Sequence, residues 1–85
     1  MYRIVITEYA LRQLKKINMQ MIASLKEAIA DLAQNPRPHN HIKLTNIDAY
    51  RIRVGNYRII YEIQDSVLTI TVVEIADRKQ AYKKK

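Results

Sequence analysis

Hydrophobic positions along this chain change period once, and that change divides it into a helical part and a strand part. Residues 2 to 6, Tyr-Arg-Ile-Val-Ile, are β-branched and aromatic and predict a first strand. Thr7 then stands where a helix N-cap belongs, and Ala10, Leu11 and Leu14 share one face of a short helix over residues 8 to 16. Asn18 caps a second, longer helix in which Ile22, Leu25, Ile29 and Leu32 recur at spacings of three, four and three. Asn35-Pro36-Arg37-Pro38 stops it, because proline has no amide hydrogen and restricts the residue before it. A polar connection through His39, Asn40, His41 and Lys43 is expected to be a long loop.

From Tyr50 the period becomes two. Tyr50, Ile52 and Val54 alternate with Arg51 and Arg53, and Gly55-Asn56 sits where a two-residue hairpin turn would, with Gly55 free to take positive φ. Tyr57, Ile59, Tyr61 and Ile63 continue one face of the next strand. Asp65-Ser66 suggests a second two-residue turn, and Val67 to Ile75 a last strand. The expected architecture is α+β: an N-terminal strand and a two-helix hairpin packed on a mainly antiparallel four-stranded sheet, in the order β-α-α-β-β-β, with a short C-terminal segment. Residues 1 to 85 read as a single domain.

The two turns imply a register. Gly55-Asn56 places Val54 opposite Tyr57, Arg53 opposite Arg58, Ile52 opposite Ile59 and Tyr50 opposite Tyr61; Asp65-Ser66 places Ile63 opposite Leu68, Tyr61 opposite Ile70 and Ile59 opposite Val72. One face, from Tyr50 to Val72 and including Leu68, is then available for the helices to cover. The other carries Arg51, Arg53, Arg58, Ile60, Glu62, Thr69, Thr71, Val73 and Ile75. Like charges directly opposed across strands are unfavourable by roughly 0.2 to 1 kcal/mol, so Arg53 facing Arg58 works against folding unless an anion lies between them. The chain should leave the sheet near that end, bringing Asp77, Arg78 and Tyr82 to the arginines. Such a cluster suits bidentate grip of phosphates and stacking of a base.

Composition strengthens the anion reading. Fifteen Lys and Arg against eight Asp and Glu give a net charge of +7, with Arg78, Lys79, Lys83, Lys84 and Lys85 crowding the C-terminus. Polyanions are the expected partners, and Lys43, Lys79, Lys83 and Lys84 are candidate RNA contacts. With no cysteine there is neither a disulfide framework nor a thiolate metal site, and His39 and His41 have no third ligand to make a zinc site. No signal peptide or membrane-spanning run is visible, so a cytoplasmic protein without membrane contact or cofactor is expected.

Tyr50-Arg-Ile-Arg-Val-Gly-Asn-Tyr-Arg-Ile-Ile-Tyr-Glu62 followed by Val73-Glu-Ile-Ala-Asp-Arg-Lys-Gln-Ala-Tyr82 resembles the RelE/ParE superfamily of type II toxins, and its RelE-like branch in particular. The resemblance implies a metal-independent endoribonuclease, an mRNA interferase that cuts mRNA in the ribosomal A site and is silenced by a cognate antitoxin. It also implies in-line attack by the substrate's 2′-hydroxyl, with Arg51, Arg53, Arg58, Arg78 and Tyr82 as the catalytic set. RelE has lysines where this chain has Arg51 and Arg53, and other relatives have a histidine where it has Asp77. Arginine stays protonated at neutral pH and takes no proton. The base is therefore expected among Asp77, Glu62, Tyr82 and His39 or His41, the histidines only if the loop folds over the arginine face. A ParE-like inhibitor of DNA gyrase and a catalytically weak member of the family are the alternatives. Ile60, Val73 and Ile75 are expected to leave apolar surface on the open face for a partner helix or the C-terminal segment.

Overall fold

The computed structural model describes residues 1–77. Its elements are β1 (Arg3–Ile6), α1 (Glu8–Lys15), α2 (Met19–Gln34), β2 (Ile42–Lys43), β3 (Tyr50–Val54), β4 (Tyr57–Gln64) and β5 (Thr69–Asp77). They form one sheet in the order β1-β5-β4-β3-β2, in which β1 runs parallel to β5 and every other pairing is antiparallel. Both predicted caps form: Thr7 Oγ1 accepts from the Ala10 amide at 3.1 Å, and Asn18 Oδ1 from the Met21 amide at 3.0 Å. The cap on Thr7 turns the chain out of β1 directly into α1. Neither helix is long and apolar enough to cross a membrane.

The helices cover one face of the sheet. Ala10 and Leu14 of α1, and Leu25, Ile29 and Leu32 of α2, meet Ile52, Ile59, Tyr61, Ile70, Val72 and Ile75 in one buried cluster. Leu11, expected on the same apolar stripe, stays 40% exposed beside it. At the first hairpin the observed register is the predicted one, Tyr50 to Val54 opposite Tyr61 to Tyr57, and Gly55 takes φ +61°. A side chain at Gly55 would also meet the tip of Met21, whose Cε lies 3.0 Å from where a Cβ would sit. Helix α2 thus buttresses the turn that separates Arg53 from Arg58.

The second half of the sheet departs from expectation in three respects. Asp65-Ser66 is not a two-residue turn. Residues Asp65–Val67 make one turn of 3-10 helix, and Leu68 closes it in the left-handed region with its side chain half in solvent instead of in the core. The longer turn moves the pairing by two residues, so Ile63 faces Ile70 and Tyr61 faces Val72, and β5 begins at Thr69 and extends to Asp77.

A bulge then changes the face assignment. Ile60 faces Glu74 while Tyr61 faces Val72, which leaves Val73 as the extra residue on β5. Beyond it the alternation inverts: Ile75 pairs with Ile59 and is 1% exposed in the core, not on the open face, and Glu74 takes the open face instead. Finally, the connection after α2 contributes a fifth strand. Ile42 and Lys43 pair with Arg51 and Tyr50, a two-residue bridge too short to show a period in the sequence.

β5 reaches further than β1, and α1 fills the remaining edge. Past the last β1 pairing, at Ile6 and Val72, the Ile75 amide donates to Gln13 Oε1 at 2.7 Å. The side chain of a helix residue here takes the place of a neighbouring strand.

Candidate functional site

The open face of the sheet is organised in two rows across β3, β4 and β5. One row is Arg53, Arg58 and Ala76; the next is Arg51, Ile60 and Glu74. Arg53 is exposed, Arg51 is partly buried, and Arg58, in the middle of the sheet, is only 9% exposed. Two guanidinium groups at directly opposed positions, with a third in the adjoining row, concentrate positive charge on this face. A phosphate or a carboxylate is the kind of group such guanidinium groups can grip in bidentate fashion.

At the arginine end of the sheet the last described residue of β5, Asp77, pairs with Tyr57. Tyr57 packs against the core, so Asp77 belongs to the helix side, where it lines a notch with Tyr9, Gln13, Lys16 and Ile17. It sits at the arginine end of the sheet but on the other face from Arg58. Arg78 and Tyr82, together with Lys79, Lys83 and Lys84, lie outside the described residues.

The histidine and lysine of the long connection do not come to the arginines. Pairing of β2 with β3 puts Lys43 beside Tyr50, and the His41 ring rests 5.8 Å from the Tyr50 ring while its Nδ1 lies 2.5 Å from the Pro38 carbonyl oxygen. The Lys43 Nζ stands 5.6 Å from the centre of the same ring and 3.5 Å from Asp48. Tyr50 is on the helix side, so the loop folds over that side and not over the arginine face. His39, also on this connection, is exposed. Glu62 is on the arginine face, opposite Thr71, but four residues along β4 from Arg58, about 13 Å at strand rise. Among the described residues no His, Cys, Asp and Glu side chains gather into a possible metal-binding group.

Two features had no signal in the sequence. One is Glu74, which the bulge alone brings to the arginine face. The other is a polar clamp that holds the connection after α2. Arg37 bonds Asp65 at 3.0 Å and lies 5.4 Å from the centre of the Tyr50 ring, and Tyr2 Oη donates to the other Asp65 oxygen at 2.5 Å. The Tyr50 ring in turn stacks on Tyr61 at 5.9 Å, and Tyr61 Oη donates to the Pro36 carbonyl at 2.7 Å. Burial, with a smaller contribution from Tyr50, pushes the Tyr61 phenol up to about 12. The contacts tie residues 36 and 37 to the sheet and so fix the start of β3, from which Arg51 and Arg53 project.

The clamp has a pH signature. The hydrogen bond from Tyr2, and next the one from Arg37, hold the Asp65 carboxyl below its ordinary value. A carboxyl depressed in the folded state contributes stability above its unfolded pKa of about 3.9 and loses it as pH falls through the folded value. The melting temperature of Asp65→Asn is therefore expected to lie below that of the wild type at pH 7, with the gap closing below about pH 4. Both partners are well exposed, so the gap should be small; a gap that persists unchanged at pH 2 would refute the assignment.

Comparison with known proteins agrees with this architecture. A family model described as the ParE toxin of the type II toxin-antitoxin system parDE matches residues 4–82. Toxin RelG of Mycobacterium tuberculosis is 27% identical over 85 residues, covering 98% of each chain. In structure, the chain is similar to a protein of the RelBE2 toxin-antitoxin complex from the same organism, with TM-score 0.82, 26% identity and coverage of 91% of this chain and 98% of that one. It is equally similar to a protein of the archaeal RelE-RelB complex from Pyrococcus horikoshii OT3, with TM-score 0.82, 26% identity and coverage of 91% and 94%. A match that runs from β1 to beyond the end of β5, on a fold of two helices against one mixed sheet, places the chain in the ParE toxin family of type II toxin-antitoxin systems, within the RelE/ParE superfamily.

Proposed function

We propose that this toxin is a RelE-like, ribosome-dependent endoribonuclease that cleaves mRNA in the A site without a metal or other cofactor and is neutralised by a cognate antitoxin in the cytoplasm. The observation that carries the reading is the direct opposition of Arg53 and Arg58 on an open sheet face, with Arg51 in the adjoining row. Three guanidinium groups on one open face supply the charge and the planar, two-pronged geometry that a phosphate backbone calls for. In the proposed reaction Arg58 and Arg53 grip the scissile phosphate and stabilise the charge that builds on it as the ribose 2′-oxygen attacks in line. Arg51 and the C-terminal lysines Lys79, Lys83 and Lys84 hold the flanking backbone, Arg78 adds a further cation, and Tyr82 stacks on a base. The products are a cyclic phosphate and a free 5′-hydroxyl.

Purified toxin added to a translating extract should cut mRNA at codons occupying the A site, and its association with the ribosome should weaken steeply with salt. The matching family model is named for ParE, which favours inhibition of DNA gyrase as the second reading. The same preparation tested in a supercoiling assay separates the two. Intact mRNA together with loss of supercoiling would replace the nuclease reading by the gyrase one.

A further inference from the structure

Arginine can stabilise a phosphorane but cannot remove the proton from a 2′-hydroxyl. Of the groups suited to that task, His41 and Asp77 lie on the helix side of the sheet, which leaves Glu62 and Glu74 as the described carboxylates on the open face of β4 and β5. Position separates these two. Glu74 faces Ile60, and Arg58 is two residues from Ile60 on the same strand, so Glu74 and Arg58 are diagonal neighbours at about 7 to 8 Å between Cα atoms. Glu62 is nearly twice as far along the strand. Arg51 lies in the same row as Glu74, on the other side of Ile60. Glu74 is partly buried and makes no ion pair among the described residues, so its oxygens are not consumed by the cations around it.

On the nuclease reading given above, we infer that Glu74 is the proton acceptor for the attacking 2′-hydroxyl. The bulge at Val73 is then a functional feature, because without the extra residue the carboxylate would point into the helix layer and Ile75 would take the open face. In the step, the 2′-hydroxyl proton passes to a Glu74 carboxylate oxygen as the bond from O2′ to phosphorus forms and the bond from phosphorus to O5′ breaks. The leaving 5′-oxygen takes a proton from water and Glu74 returns its own to solvent, so protons balance over the cycle. The charged groups that face Glu74 on this surface are Arg58 and Glu62 of β4 and Arg51 and Arg53 of β3; Arg3 of β1 stands beside Thr69, at the far end of β5.

The test compares wild type, Glu74→Gln, Glu74→Asp and Arg58→Ala for mRNA cleavage in a translating extract, with toxin titrated at each of several pH values and thermal melting as the folding control. A carboxylate that only sat in the cationic patch would repel RNA, so its removal would tighten binding and leave or raise the rate. As a base, its replacement by glutamine should lower the saturating rate about 100-fold or more while the half-saturating toxin concentration stays level or falls. The limb of the pH profile caused by protonating a carboxylate should vanish in Glu74→Gln, and Glu74→Asp should recover part of the rate. Cleavage by Glu74→Gln at the wild-type rate, or a loss with the pH profile unaltered, overturns the role of Glu74 while leaving the nuclease reading intact. Wild-type toxin that cuts no mRNA overturns both.

Discussion

Arg58→Ala should abolish growth arrest on expression and lower mRNA cleavage in a translating extract by at least about 100-fold, the scale of losing one preorganised charge donor to a transition state. The loss should come without unfolding. Removing Arg58 relieves its opposition to Arg53, and the melting temperature of the variant, measured beside the rates, separates a lost phosphate contact from a lost fold. Arg58→Lys keeps the charge but not the two-pronged geometry and should recover only a small part of the rate. Equal growth with Arg58→Ala and wild type would mark the protein as a family member without turnover, and the clamp proposed for the phosphate would fall with it.

Ile75→Ala should be the most destabilising of the changes considered, by about 2 to 5 kcal/mol from lost burial and the cavity left behind. Set against a typical domain stability of about 5 to 15 kcal/mol, that is enough to populate unfolded chain under mild conditions. Ile75 is 1% exposed and packs between β4 and the helix layer, whereas Leu68 is half exposed at the end of the 3-10 turn. Leu68→Ala should therefore change stability by less than about 0.5 kcal/mol. Denaturant unfolding of the two variants reads the register directly. The opposite order of sensitivity would mean that β5 pairs as a two-residue turn requires, with Glu74 turned to the helices.

Periodic segments were legible in the sequence, and so were the two helix caps and the glycine turn. The caps at Thr7 and Asn18, the stripe on α2 and the register of the Gly55-Asn56 hairpin all follow from local spacing, and with them the opposition of Arg53 and Arg58. The second turn was misread because Asp65-Ser66 carries no glycine, and Leu68 supplies the left-handed residue without any compositional sign of it. A bulge leaves no mark either, since Val72, Val73 and Ile75 are equally suited to both faces. The clamp from Tyr2 through Asp65 to Arg37 joins residues far apart in the chain, and only the folded chain brings them together. The site was thus visible as a cluster of cations, while its carboxylate was not.

The place of β5 between β1 and β4 has a consequence for how the chain acquires its form. Ile4 meets Ile70 and Val5 meets Thr71, so the interior strand of the sheet is the last one in order, and its partner on one flank is the first. Early collapse can assemble the two helices and the Gly55 hairpin from nearby residues, but the layer they rest on closes only when the two ends meet. Pairings of such long sequence separation slow folding, because nearly the whole loop entropy is lost before the contacts are gained. The rate-limiting event should accordingly be the docking of β1 alongside β5, leaving a partly formed chain with a bare hydrophobic strand edge while it waits.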